Sequence, residues 1–125
     1  MQYPDNIKIH PEHTWISVEG NIGIIGITDY AQSQLGEIVY FDYPNSGNVY
    51  KQGDVFGSIE ALKTVSDLYM PVSSSIIEHN IILKENPILI NNSPFQEGWL
   101  IKVSITNILE LDQLLSVENY FKTIN

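Results

Sequence analysis

The stretch Gly57-Ser58-Ile59-Glu60-Ala61-Leu62-Lys63-Thr64-Val65-Ser66-Asp67-Leu68-Tyr69-Met70-Pro71 decides how the chain is read. Two short, strand-like runs flank a single lysine, and joined by a tight connection they form a hairpin with Lys63 at its tip. A lysine displayed there is open to a modifying enzyme and can carry a covalently attached group away from the surface. The expectation is therefore a carrier domain and not a catalyst. The connection itself carries no hairpin signature: Leu62-Lys63 lacks the Gly, Asn or Asp of a primed two-residue turn. A type I turn, which accepts most residues at its centre, keeps the geometry open.

Length and charge bound the rest. The 125 residues and 14.2 kDa fit one compact domain over 1–125, long enough to bury a core without metal or disulfide staples. Six lysines, no arginine and fifteen acidic residues give a formal net charge of -9, which argues against nucleic acid, since phosphate binding needs clustered cations. Such an acidic shell suits partners with basic docking surfaces. With no cysteine, disulfides, thiolate metal sites and a thiol nucleophile of the chain's own are excluded, so any sulfur chemistry has to come from an attached cofactor. Met1 to Asp5 resembles neither a secretory signal nor a transit peptide, and no apolar run reaches membrane-spanning length. The expected location is the cytoplasm, or the mitochondrial matrix if a presequence has been removed.

Outward from the lysine, short strands alternate with turns. Thr14 to Val18 and Ile22 to Ile27 read as a hairpin about Glu19-Gly20-Asn21. Thr28 is a helix cap, Asp29 favours the positive end of the dipole, and Gly36 ends the segment, which predicts a short helix over 29–35. Further strands are expected at Glu37 to Phe41, at Val49 onward, over Val55 to Leu62, at Ile76-Ile77, at Ile81 to Leu83 and at Trp99 to Val103, with Asn91-Asn92-Ser93-Pro94 as a loop. From Asn107 the apolar period becomes helical, so one or two short helices close the chain. The fold class is mainly β, a barrel or sandwich with helical trimmings.

Four separated blocks then carry a resemblance: Glu12-His13-Thr14-Trp15, Gly26-Ile27-Thr28-Asp29-Tyr30-Ala31-Gln32, Glu60 to Pro71, and Glu97-Gly98-Trp99-Leu100-Ile101-Lys102. In this order, over roughly residues 3 to 122, the chain resembles the H proteins of the glycine cleavage system, small lipoyl carriers. That resemblance implies a flattened barrel-sandwich hybrid of the lipoyl/biotinyl type over about 10–104 and a C-terminal helical segment over about 107–124. It implies lipoic acid in amide linkage to Lys63, with Glu60 read by the lipoylating enzyme. It also implies glycine decarboxylase, aminomethyltransferase and dihydrolipoyl dehydrogenase as partners, the carrier catalysing none of their steps.

The loaded arm of this family ends in an ammonium that folds into a cleft near acidic residues. Asp67 matches one of them; the glutamate that usually precedes the tryptophan is Thr14 here. Glu12, two residues earlier, would share Thr14's face on a strand and is expected to supply the missing carboxylate. A second departure is Ser74, where the family has glycine. Serine there implies a strained or differently built turn, and restoring glycine is expected to improve modification or stability.

Other patterns read as structural. Gly20, Gly23 and Gly26 have the wrong spacing for a dinucleotide loop, and His10, His13 and His79 without cysteine make a poor zinc set. Trp15 and Trp99 are expected to fill the core. Rival functions are a relative that mainly donates lipoyl groups to other proteins, a biotin carrier, and an unmodified interaction module. Leu62 and Thr64, where biotin domains place methionines, count against the second.

Overall fold

The structure, a computed structural model, describes residues 2–124. The chain opens with β1 (Ile7–Ile9), which pairs antiparallel with β2 (Thr14–Glu19), and β2 in turn with β3 (Ile22–Ile27). Helix α1 (Asp29–Leu35) follows, with the Thr28 hydroxyl accepting the Ala31 N–H at 3.1 Å and Gly36 at φ 79 ending it, as the sequence predicts. Next come β4 (Ile38–Asp42), the two-residue β5 (Val49–Tyr50), β6 (Val55–Ala61), β7 (Val65–Tyr69) and β8 (Ser74–His79). A 3-10 turn (Ile81–Lys84), helix α2 (Leu89–Asn92), β9 (Ile101–Ile105), a second 3-10 segment (Ile108–Gln113) and helix α3 (Val117–Ile124) complete the order.

Two antiparallel sheets result, one ordered β1-β2-β3-β9-β8-β5 and the other β4-β6-β7. Buried side chains of both sheets, among them Ile16, Ile25, Phe41, Ile59, Leu68 and Ile101, share one apolar cluster. A second cluster gathers Ile7, Ile9, Trp15 and Tyr120, with α3 laid against β1. Neighbours on a strand face opposite ways, so Ile16 fills the first cluster and Trp15 the second, and β2 is covered on both faces. Two glycines of β3 make this packing fit. A Cβ on Gly26 would stand 2.7 Å from the Trp15 ring, and one on Gly23 2.7 Å from Ile16 Cδ1.

Two expectations from the sequence are corrected. Ile81 to Leu83 is a 3-10 turn, not a strand: the Asn80 side chain accepts the Ile82 N–H at 3.4 Å, and Ile81 and Ile82 face outward. Asn91-Asn92 ends a helical turn, so only Ser93-Pro94 belongs to the loop. At Ser74, where a strained or differently built turn was expected, the backbone shows no strain and the segment is built as a strand. Ser74 lies in β8, fully buried, paired with Tyr50 and Ile105, and among described non-glycine residues only His13 has a positive φ. The Ser74 hydroxyl donates to the Val72 carbonyl at 3.2 Å. Ser74→Gly is therefore expected to lower stability by about 1 kcal/mol through lost contact and added chain entropy. A melting temperature at or above the wild-type value would restore the strain reading.

Candidate functional site

The β6–β7 hairpin pairs Ser58 with Asp67, Ile59 with Ser66 and Glu60 with Val65. Ala61 N–H donates to the Thr64 carbonyl at 2.8 Å and closes the ladder, leaving Leu62 and Lys63 as the exposed two-residue tip. Neither has a positive φ, which excludes a primed turn and matches the type I alternative. Leu62 N–H donates to the Glu37 carbonyl at 3.1 Å and ties the tip to the start of β4. Lys63 itself bonds to no described residue. The one ion pair among the described residues, Lys102 with Glu78 at 2.9 Å, lies elsewhere.

β7 is an edge strand, and between it and α1 lies a cleft of about 250 Å³. Ile27, Ala31, Leu35 and Leu68 give it an apolar lining, while Glu12 and Asp67 bring carboxylates to it. Ala31 and Leu35, one helical turn apart, lie on the same side of α1. Asp67 lies four residues from Lys63, at most about 14 Å along the chain.

The route by which Glu12 reaches the cleft differs from the expectation of a strand face shared with Thr14. Residues 11–13 form a turn, His13 takes φ 76, and β2 begins only at Thr14. Thr14 is buried, its hydroxyl donating to the Tyr69 carbonyl at 2.8 Å, so it fastens β2 to the end of β7. The left-handed His13 turns the chain between them and leaves Glu12 exposed at the cleft.

A hydrogen-bonded chain, buried at Thr28 and Tyr120 and half-buried at its His13 end, holds His13 in place. Its Nδ1 lies 2.7 Å from the Tyr120 hydroxyl, which lies 2.8 Å from the Thr28 hydroxyl. Burial lowers the His13 pKa, with the Glu12 carboxylate opposing, and burial holds the Tyr120 phenol well above its usual value. Burial also lowers the pKa of His10, whose Nδ1 accepts the Glu12 N–H at 3.0 Å.

Of the residues singled out in the sequence, the structure brings Glu12 and Asp67 to one cleft and sets Lys63 at a free tip. Glu60 is exposed on the outer face of the hairpin, apart from the cleft lining. Ala31 and Leu35 escaped notice as cleft residues, although their spacing of four in a helix was the available signal. Tyr120 had no such signal, because its partners are distant in sequence.

With the geometry in hand, comparison with known proteins is specific. The family model described as glycine cleavage H-protein matches residues 7–125. A glycine cleavage system H protein of Bacteroides fragilis is 49% identical over 125 residues, covering 100% of this chain and 99% of the relative. One of Carboxydothermus hydrogenoformans is 50% identical over 121 residues, 97% of this chain and 93% of that one. The crystal structure of a glycine cleavage system H protein from Mycobacterium marinum superposes with a TM-score of 0.89 at 30% identity, covering 98% of each chain. A match across nearly the whole length, in sequence and in fold, places this chain in the glycine cleavage H-protein family.

Proposed function

We propose that the protein is the lipoyl carrier of a glycine cleavage system. It carries the aminomethyl group of glycine from the decarboxylase to the aminomethyltransferase, and dihydrolipoyl dehydrogenase reoxidises the arm. Its place of action is the cytoplasm. The observation that carries this reading is Lys63, bonded to no described residue, at an exposed hairpin tip that backbone bonds hold in place. The residues present suit the cofactor: a free amine for the amide, and within reach of it a cleft with apolar walls and two carboxylates. Bound through Nζ, the dithiolane supplies the redox-active sulfur that a cysteine-free chain lacks.

The chain's own residues hold and shield. Ile27, Ala31, Leu35 and Leu68 exclude water along the cleft, and Glu12 and Asp67 offer acceptors to a cationic end group. Tethering raises the local concentration of the arm at each partner to roughly millimolar, without the carrier performing any reaction. Intact mass and peptide mapping of protein from its native source test the proposal, which requires a lipoyl adduct on Lys63; bare protein from cells that run glycine cleavage would end it. The cleft has its own test. Glu12→Gln should release the aminomethyl group to water several-fold faster than wild type, and equal rates would leave Glu12 without this role.

A further inference from the structure

The outer face of the three-stranded sheet carries an ordered row. Register pairs Tyr40 with Glu60 and Glu60 with Val65, so the three side chains stand side by side across β4, β6 and β7 on the same face. All three point to solvent, Tyr40 53% and Val65 62% exposed, while Phe41, Ile59 and Leu68 point inward. The next outward row is Asp42, Ser58 and Asp67. A tyrosine and a valine are thus left more than half exposed among Asp42, Ser58, Glu60 and Asp67.

The row also lies close to Lys63: Val65 is two residues beyond it, at most about 7 Å along the chain. An enzyme that acylates Nζ encloses the tip of the hairpin, and its rim reaches this face. The geometry points to Tyr40, Glu60 and Val65 as one recognition row for the lipoylating enzyme, the two apolar side chains packing against its rim on either side of the carboxylate. Asp42, Glu60 and Asp67 give that rim a basic complement to match, while exposed apolar residues around a charge supply contact area and exclude water. This inference rests on the reading of Lys63 as the lipoylated residue and extends it from one carboxylate to a surface.

The test uses the full chain with a purified lipoate ligase, lipoate and ATP, following amide formation by intact mass as AMP and pyrophosphate are released. Tyr40→Thr and Val65→Thr keep strand-forming residues on the exposed face. Each should raise KM for the carrier about tenfold with kcat little changed, the mark of lost uniform binding. Tyr40→Phe, which keeps the ring, should behave as wild type. Val49→Thr alters a valine 70% exposed on β5 of the other sheet and should have no effect. Thermal melts confirm that each variant is folded. If Tyr40→Thr and Val65→Thr stay within twofold of wild type in kcat/KM, the row is not read. If wild type itself accepts no lipoyl group at Lys63, the failure belongs to the carrier reading instead.

Discussion

Lys63→Arg is expected to abolish lipoyl attachment and leave the fold unchanged. Arginine keeps the positive charge and the long apolar stem, but its guanidinium stays protonated and offers no free amine to an activated acyl group. Lys63 bonds to no described residue, so the replacement should alter stability by no more than about 0.5 kcal/mol. Intact mass should show the bare chain, and glycine-dependent CO2 exchange with the partner enzymes should fall to background. The control is already in the molecule, because Lys8, Lys51, Lys84 and Lys122 are exposed too. What separates Lys63 is its place at a tip held by the Ala61–Thr64 and Leu62–Glu37 backbone bonds. A lipoyl adduct persisting on the arginine variant would show that the modifying enzyme accepts other lysines, and the assignment of the site would fall.

How much of this was legible in the sequence depended on how local its cause was. The β2–β3 hairpin and α1 were readable because Gly20, Thr28 and Gly36 each act within a few residues of themselves. The hairpin at Lys63 was not readable from its turn, since Leu62-Lys63 adopts a turn that most residue pairs tolerate; the resemblance of the surrounding residues supplied it. The error at Ile81 to Leu83 has a similar origin. Adjacent isoleucines favour strands, yet Asn80 satisfies local backbone and starts a 3-10 turn that leaves Ile81 73% exposed. Strand β1 passed unnoticed because three residues carry little period, and it exists by pairing with β2 and bridging to Leu115. The cleft is the extreme case. Glu12 and Asp67 lie on the same cleft only because Thr14 joins β2 to the end of β7, and no periodicity records that contact.

Tyr120→Phe is expected to cost about 2–3 kcal/mol, although it removes a single atom from the last helix. The hydroxyl is the middle of a chain from Thr28 to Tyr120 to His13, with distances of 2.8 and 2.7 Å, in a fully buried side chain. With His13 neutral and its proton on Nε2, the Thr28 hydroxyl donates to Tyr120 and Tyr120 donates to Nδ1. Deleting the hydroxyl leaves the buried Thr28 hydroxyl without its acceptor and the half-buried His13 Nδ1 without its donor, and removes one of the holds on a left-handed histidine that also packs against Tyr30 beside the cleft. For a chain of this size the melting temperature should drop by roughly 10 °C. The same chain predicts a pH dependence. Burial depresses the folded-state pKa of His13 and of His10, so the unfolded chain binds protons more readily. Stability is then complete above the unfolded value of about 6.5 and declines as the pH falls below it. Melting wild type and Tyr120→Phe at pH 7.5 and 5.5 reads both effects at once. A variant that melts within 2 °C or so of wild type at pH 7.5 would show that the hydroxyl chain contributes little, and that packing alone holds α3 and the cleft turn together.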